Sequence, residues 1–259
     1  TTLFRSMARR IGNTNREAEA RIADALQLRL AAGAAAVYRQ VLARDYKALA
    51  DGYRDAGTID ENLLDRDAMA QAFASNWERT ARTFATRMSL ATQESKRYQC
   101  AIHTKGVLRD LITAELLAYS KRWIAKKITM VSDTTMEQVR GVVDTAEGGT
   151  VEDIARSIEG VARTFSAYRS QVIARTETHS LANFANETVA DASGIELKKE
   201  WGATMDARTR EDHMAADGQL VGQGASFNVG GEMLLYPGDT NGSAANIIQC
   251  RCQCLYLEA

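Results

Sequence analysis

The chain has 259 residues, 45% hydrophobic and 25% charged, enough to bury one or two ordinary cores without disulfide or cofactor support. Its 32 Lys and Arg against 33 Asp and Glu leave a net charge of -1. That excludes a uniformly basic nucleic-acid coat and a polyacidic tail, so any DNA contact has to be local. No apolar run approaches the roughly 20 residues that span a bilayer. The opening Thr1-Thr2-Leu3-Phe4-Arg5 has no apolar signal-peptide centre, so neither a membrane partner nor export is expected.

From Thr14 onward Ile22, Leu26, Leu30, Ala34, Val37, Val41, Tyr46, Leu49 and Tyr53 recur at the spacing of one helix face. They predict a helix of about twelve turns, opened by a Thr14/Glu17 capping box and stopped by Gly57. Met69, Phe73, Trp77, Ala81, Phe84 and Met88 predict a second, with Asp65 and Asp67 as candidate caps. A third runs through Leu108, Ile112, Leu116 and Ile124. A fourth is expected to start near Thr134, with Glu137 in the capping position, and to end at Gly148-Gly149. Thr150 and Asp153 open a fifth that passes Phe165, Val172, Thr176 and Phe184. Strict heptads are absent, so these stripes read first as an internal core and second as a docking face for another subunit. Lys121, Arg122, Lys126 and Lys127 form a local basic patch.

Composition changes near Gly194. Ten glycines lie in residues 1–194 and eight in 195–259, and the later part carries a net charge of -4. It reads as short strands and turns: a strand over 196–201, a short helix over 207–216 capped by Asp206, and a hairpin around Gly230-Gly231. A turn follows at Pro237-Gly238-Asp239, then a last strand over 250–257 that puts Cys250, Cys252 and Cys254 on one face. The expected fold class is α+β, a long helical N-terminal region followed by a small mixed module with antiparallel hairpins. The expected divisions are 1–130, 131–193 and 194–259.

Ala174-Arg175-Thr176-Glu177-Thr178 is followed in order by Gly194, Lys199-Glu200-Trp201, Asp206-Ala207-Arg208-Thr209-Arg210, His213 and Gly218. Phe227, Pro237-Gly238-Asp239, Asn246 and Cys250-Arg251-Cys252 complete the set. This ordered set resembles the phage Mu F-like head morphogenesis family, the minor head or minor capsid proteins of tailed bacteriophages, over roughly residues 130 to 256. Gln249 stands where that pattern leads one to expect asparagine, and Cys254 is an extra thiol. The resemblance implies a non-enzymatic virion protein acting in capsid assembly, with the portal protein and capsid components as partners. It also implies a place at the portal or inner head surface, contact with packaged DNA or exit with it, and residence in the host cytoplasm before assembly.

Three constellations carry candidate chemistry. His213, Cys250 and Cys252, with Asp206, Cys254 or water as a fourth ligand, have the donor types that zinc favours. The alternatives are small buried strand cysteines beside a histidine bonded to backbone, or a disulfide. Arg175 and Glu177 lie two apart on a helix, so they point to different sides. Arg175 is expected to reach Asp206 or Asp239, and Glu177 to reach Arg208, Arg210 or backbone amides, as a structural clamp between helix and module. The run from Asp206 to His213 suggests acid, base and cation for hydrolysis, and the rival expectation is a zinc-dependent enzyme or toxin-like effector carried in the particle that uses the His213, Cys250 and Cys252 cluster. No small-molecule substrate is expected, since the chain lacks a phosphate loop and a nucleophile elbow.

Overall fold

The computed structural model describes residues 15–93, 105–146 and 148–259. In chain order the elements are α1 (Arg16–Ala56), a 3-10 turn (Glu61–Leu63), α2 (Arg66–Gln93), α3 (Lys105–Thr145) and α4 (Val151–Ala192). Then come β1 (Leu197–Gly202), α5 (Glu211–Ala215), β2 (Leu220–Gly222), β3 (Phe227–Val229), β4 (Glu232–Leu234), α6 (Ala244–Ile247) and β5 (Gln253–Glu258). The fold is α+β. No helix among the described residues is long and apolar enough to cross a membrane.

Helix ends follow side-chain chemistry. Asn15 Oδ1 accepts from the Glu17 and Ala18 amides at 3.0 and 3.1 Å and so caps α1, while the expected Thr14 cap lies outside the described residues. Gly57, at φ 68°, stops the helix by donating to Tyr53 O at 2.8 Å. Asp65 caps α2 through the Ala68 amide at 2.8 Å. At the head of α4, Thr150 Oγ1 accepts from the Asp153 amide at 3.2 Å and Asp153 Oδ2 accepts from the Thr150 amide at 3.2 Å. That is a capping box with Asp in the reciprocal position. The expected third and fourth helices are one continuous α3. Thr134 and Thr135 turn their hydroxyls back onto the carbonyls of Met130 and Val131, at 2.8 and 2.9 Å, instead of capping a new start. No Gly or Pro between residues 107 and 140 interrupts the helix, and α3 runs unbroken through the expected division at 130/131.

The chain forms two compact units, and each of the four long helices contributes a segment to both. One takes residues 31–76 and 118–175. Its core holds Tyr38, Leu42, Tyr46, Leu49 and Phe73, with the Tyr38 and Phe73 rings 5.3 Å apart and tilted by 54°. A buried guanidinium organises its polar interior. Arg169 donates to Thr135 Oγ1 at 2.8 Å, to Tyr46 Oη at 3.1 Å and to Val131 O at 2.9 Å, while the Tyr46 hydroxyl donates in turn to Gln138 Oε1.

The other unit comprises the described residues of 1–30, 77–117 and 176–259. Its strands form an antiparallel sheet in the order β2-β1-β5, with Lys199 opposite Tyr256 and Trp201 opposite Cys254. Beside it stands the β3-β4 hairpin, pairing Phe227 with Leu234. Gly230 and Gly231 turn that hairpin at φ 58° and 85°, the left-handed pair a two-residue loop of this hand requires. Fully buried Trp201 sits edge-on to Phe227 at 5.3 Å and to the His213 ring at 5.7 Å. The first turns of α1 join this unit: Arg16 pairs with Glu200 at 2.8 Å and with Asp217. Buried Gln27 and Gln253 exchange amide hydrogen bonds at 3.1 and 3.2 Å.

Replacing Arg169 by Ala removes the charged donor shared by Thr135, Tyr46 and Val131 in a buried network, and should cost about 3 kcal/mol of stability. Urea unfolding of the variant measures this; a loss below about 0.5 kcal/mol would show that the network is dispensable.

Candidate functional site

One face of the last four turns of α4 is polar and buried. Thr176, His179, Ser180, Asn183 and Glu187 follow one another at steps of three, one, three and four, which stacks them along one side of the helix. Each meets the module. Thr176 Oγ1 accepts from the Gln249 amide at 3.1 Å, His179 Nε2 donates to Cys252 O at 2.7 Å, and Ser180 Oγ donates to Gly238 O. Asn183 Oδ1 accepts from the Cys254 amide at 3.2 Å. Glu187 accepts from Lys199 Nζ at 2.7 Å and from the Tyr256 hydroxyl at 2.8 Å, and Lys199, fully buried, also donates to Leu235 O at 2.9 Å. Burial pushes the Glu187 carboxyl up, with Lys199 opposing the shift. Burial likewise pushes the His179 imidazole down, so it sits there neutral.

The last turn of this contact leads into the cysteine segment. Gln249 has φ 55°, a left-handed conformation that a non-glycine residue seldom adopts and that asparagine tolerates best. The asparagine expected from the motif order therefore falls on the residue whose backbone asks for it. The kink delays the final strand, which starts at Gln253 instead of at Cys250, and leaves Cys250 and Cys252 in the approach to it. His213, on α5, points its Nδ1 at Cys252 Sγ at 3.3 Å and at Cys250 Sγ at 3.6 Å. Its Nε2 lies 3.2 Å from Asn246 Oδ1. All three side chains are buried, and their ligand atoms lie within 4.8 Å of one another. Burial and the hydrogen bond to Cys252 push the Cys250 thiol well up. The same bond, helped by His213, brings Cys252 well down, so Cys252 ionises first.

The other residues singled out from sequence are distributed as follows. Arg175 is exposed. Glu177 is buried and accepts from Trp77 Nε1 at 3.0 Å. Asp206 receives two bonds from Arg251, at 2.5 and 2.6 Å, which hold its carboxyl far below the usual range. It also accepts the Arg208 amide at 2.9 Å in a local turn, so α5 begins only at Glu211. Arg208 is exposed, 3.8 Å from Asp206. Arg210 donates to Ile248 O at 2.6 Å, and Asp239 accepts the Leu235 and Asn241 amides at 2.9 and 3.0 Å within its own loop. Cys254 is buried in β5 with Glu187, Lys199 and Tyr256 as its charged and polar neighbours, and burial pushes its thiol up. Neither Asp206 nor Cys254 joins the cluster of His213, Cys250 and Cys252.

Glu187, Lys199, Tyr256, His179 and Asn246 escaped the sequence reading as working residues. Hydrophobic periodicity cannot register a polar face that is buried. The detectable signal was the regular spacing of Thr, His, Ser, Asn and Glu where an apolar stripe would be expected.

The fold and site define a class: an α+β module docked on a polar helix face and carrying one His and a Cys-x-Cys pair at its centre. Residues 136–255, from within α3 to within β5, match the family described as Phage Mu protein F like protein. That segment is a little under half of the chain, and over it the chain is similar to the phage Mu F-like proteins. It is also 31% identical over 137 residues to the NAD(+)–arginine ADP-ribosyltransferase EFV of Enterococcus faecalis. The match covers 51% of this chain and only 27% of that protein. No solved structure matches the chain.

Two substitutions test how the site is built. Lys199→Met removes one partner of a buried ion pair and should cost about 3–5 kcal/mol. Adding Glu187→Leu should recover part of that loss in a double-mutant cycle, and additive losses would mean the two charges are not coupled. Gln249→Asn should raise stability by about 0.5–1 kcal/mol by easing the left-handed backbone, read as a shift in urea midpoint; a lower midpoint would contradict the strain.

Proposed function

We propose that this chain is a structural, non-enzymatic minor head protein of a tailed bacteriophage, acting in capsid assembly and seated at the portal or the inner surface of the head. The observation that carries this reading is the family match over 136–255, joined to the character of the matched module. Its polar groups face inward and hold a helix, as befits a part built to be rigid. The cavity beside the His213 cluster measures only about 10 Å³, roughly one water molecule's worth of accessible space, so it cannot admit a nucleotide or a peptide. Packaged DNA would be met on α3. There Arg122 and Lys126 lie 4.8 and 5.2 Å from the Trp123 ring, with Lys121 exposed beside them, a grouping of cations and an aromatic face suited to backbone and base contacts. Lys127 is buried and falls outside that patch.

The second reading, an effector carried in the particle, is favoured by the relative named as an arginine ADP-ribosyltransferase. Because the match covers 27% of that protein, its activity need not reside in the shared part.

Co-expression with the portal protein separates the readings. The chain should co-purify with portal assemblies and appear in mass spectra of purified particles, and particles made without it should be defective. Particles that assemble normally without it, together with transfer of ADP-ribose from NAD to arginine by the purified chain, would overturn the structural role in favour of the effector.

A further inference from the structure

We infer that His213, Cys250 and Cys252 bind a single zinc ion, with water as the fourth ligand. This goes beyond the minor-head reading and stands or falls separately from it.

The argument begins with spacing. Tetrahedral zinc holds sulfur at about 2.3 Å and imidazole nitrogen at about 2.0–2.1 Å, which puts ligand nitrogen and sulfur about 3.6 Å apart. Here His213 Nδ1 is 3.3 and 3.6 Å from the two sulfurs. Orientation agrees. Asn246 Oδ1 at 3.2 Å accepts a hydrogen bond from Nε2–H, which fixes the tautomer whose Nδ1 lone pair faces the thiols. Asn246 is itself tethered through Nδ2 to Val229 O at 3.4 Å. A ligating histidine usually has such an outer partner on its other nitrogen.

Charge points the same way. Two thiolates buried without compensation would be costly. Zinc displaces both thiol protons to solvent, and its two positive charges cancel the two sulfurs, so the bound core is neutral. Among the described residues no fourth His, Cys, Asp or Glu joins the three, but the adjoining cavity, bordered by Thr209, Arg210 and Gln249, has about the volume one water needs.

The same atoms also have the order of a cysteine, histidine and asparagine nucleophile triad. Two features favour the metal. Cys250 occupies the other side of the imidazole nitrogen, where a triad needs nothing, and the small cavity leaves a nucleophile no substrate to attack.

The test uses the reduced 259-residue chain and the metal alone. Elemental analysis should find one zinc per chain. After chelation, added cobalt(II) should produce thiolate charge-transfer absorption, and zinc should raise Tm by about 5 °C or more when well above its dissociation constant. His213→Ala risks misfolding, so Asn246→Ala serves as the second variant: it keeps all three ligands and should weaken zinc binding at least about tenfold. Absence of the cobalt-thiolate band with Tm indifferent to zinc would overturn the site. So would unchanged zinc affinity in Asn246→Ala.

Discussion

The module is held by a buried line of hydrogen-bonding groups along α4, from Thr176 to Glu187, and the rest of its geometry follows from them. An apolar interface can slide by a turn and remain favourable. This one cannot, because each of Thr176, His179, Ser180, Asn183 and Glu187 has its own partner on the module, and a slip would leave several buried polar groups unmatched at once. The contact is therefore exacting in register even where it adds little net stability. The Glu187–Lys199 pair shows the same logic in charged form: it fixes β1 against the helix, and losing either partner is worse than never having had the pair.

That line also places the cysteine segment. Thr176 holds the Gln249 amide and His179 holds the Cys252 carbonyl, so the backbone is secured on both sides of Cys250. The two thiols thereby arrive opposite His213, which comes from a different part of the chain and is oriented from behind by Asn246. The site is thus a product of the docking. Its closeness and its burial both derive from elements whose main work is to hold the module on its helix.

How much of this could be read from the amino acids depended on which force acted where. The helices were legible because Met69, Phe73, Trp77 and Phe84 face a core at helical spacing, and the Gly230-Gly231 hairpin was legible because few other pairs accept its dihedral angles. The join at Thr134 misled because a threonine hydroxyl serves a helix interior as well as a cap. The group His213, Cys250 and Cys252 could be suspected from residue type and strand spacing, and the coordinates bring these three side chains together. The expected partners of Asp206 and Asp239 were guesses about charge alone. In the fold Asp206 takes the arginine two residues before Gln253, and Asp239 spends its oxygens on local amides. Long-range polar pairing leaves no periodic trace, which is why the bonds of Glu187 to Lys199 and Tyr256 had no signature in the sequence.

The order of synthesis adds a constraint of its own. The ribosome finishes α4 well before β5, yet four of the five polar groups on that helix wait for partners at or beyond Gly238. During that interval the nascent helix must keep them hydrated, and it cannot bury that face prematurely against apolar surface without penalty. The full set of these bonds can form only once β5 has been made, so the contact is a non-local one that its topology makes slow to form.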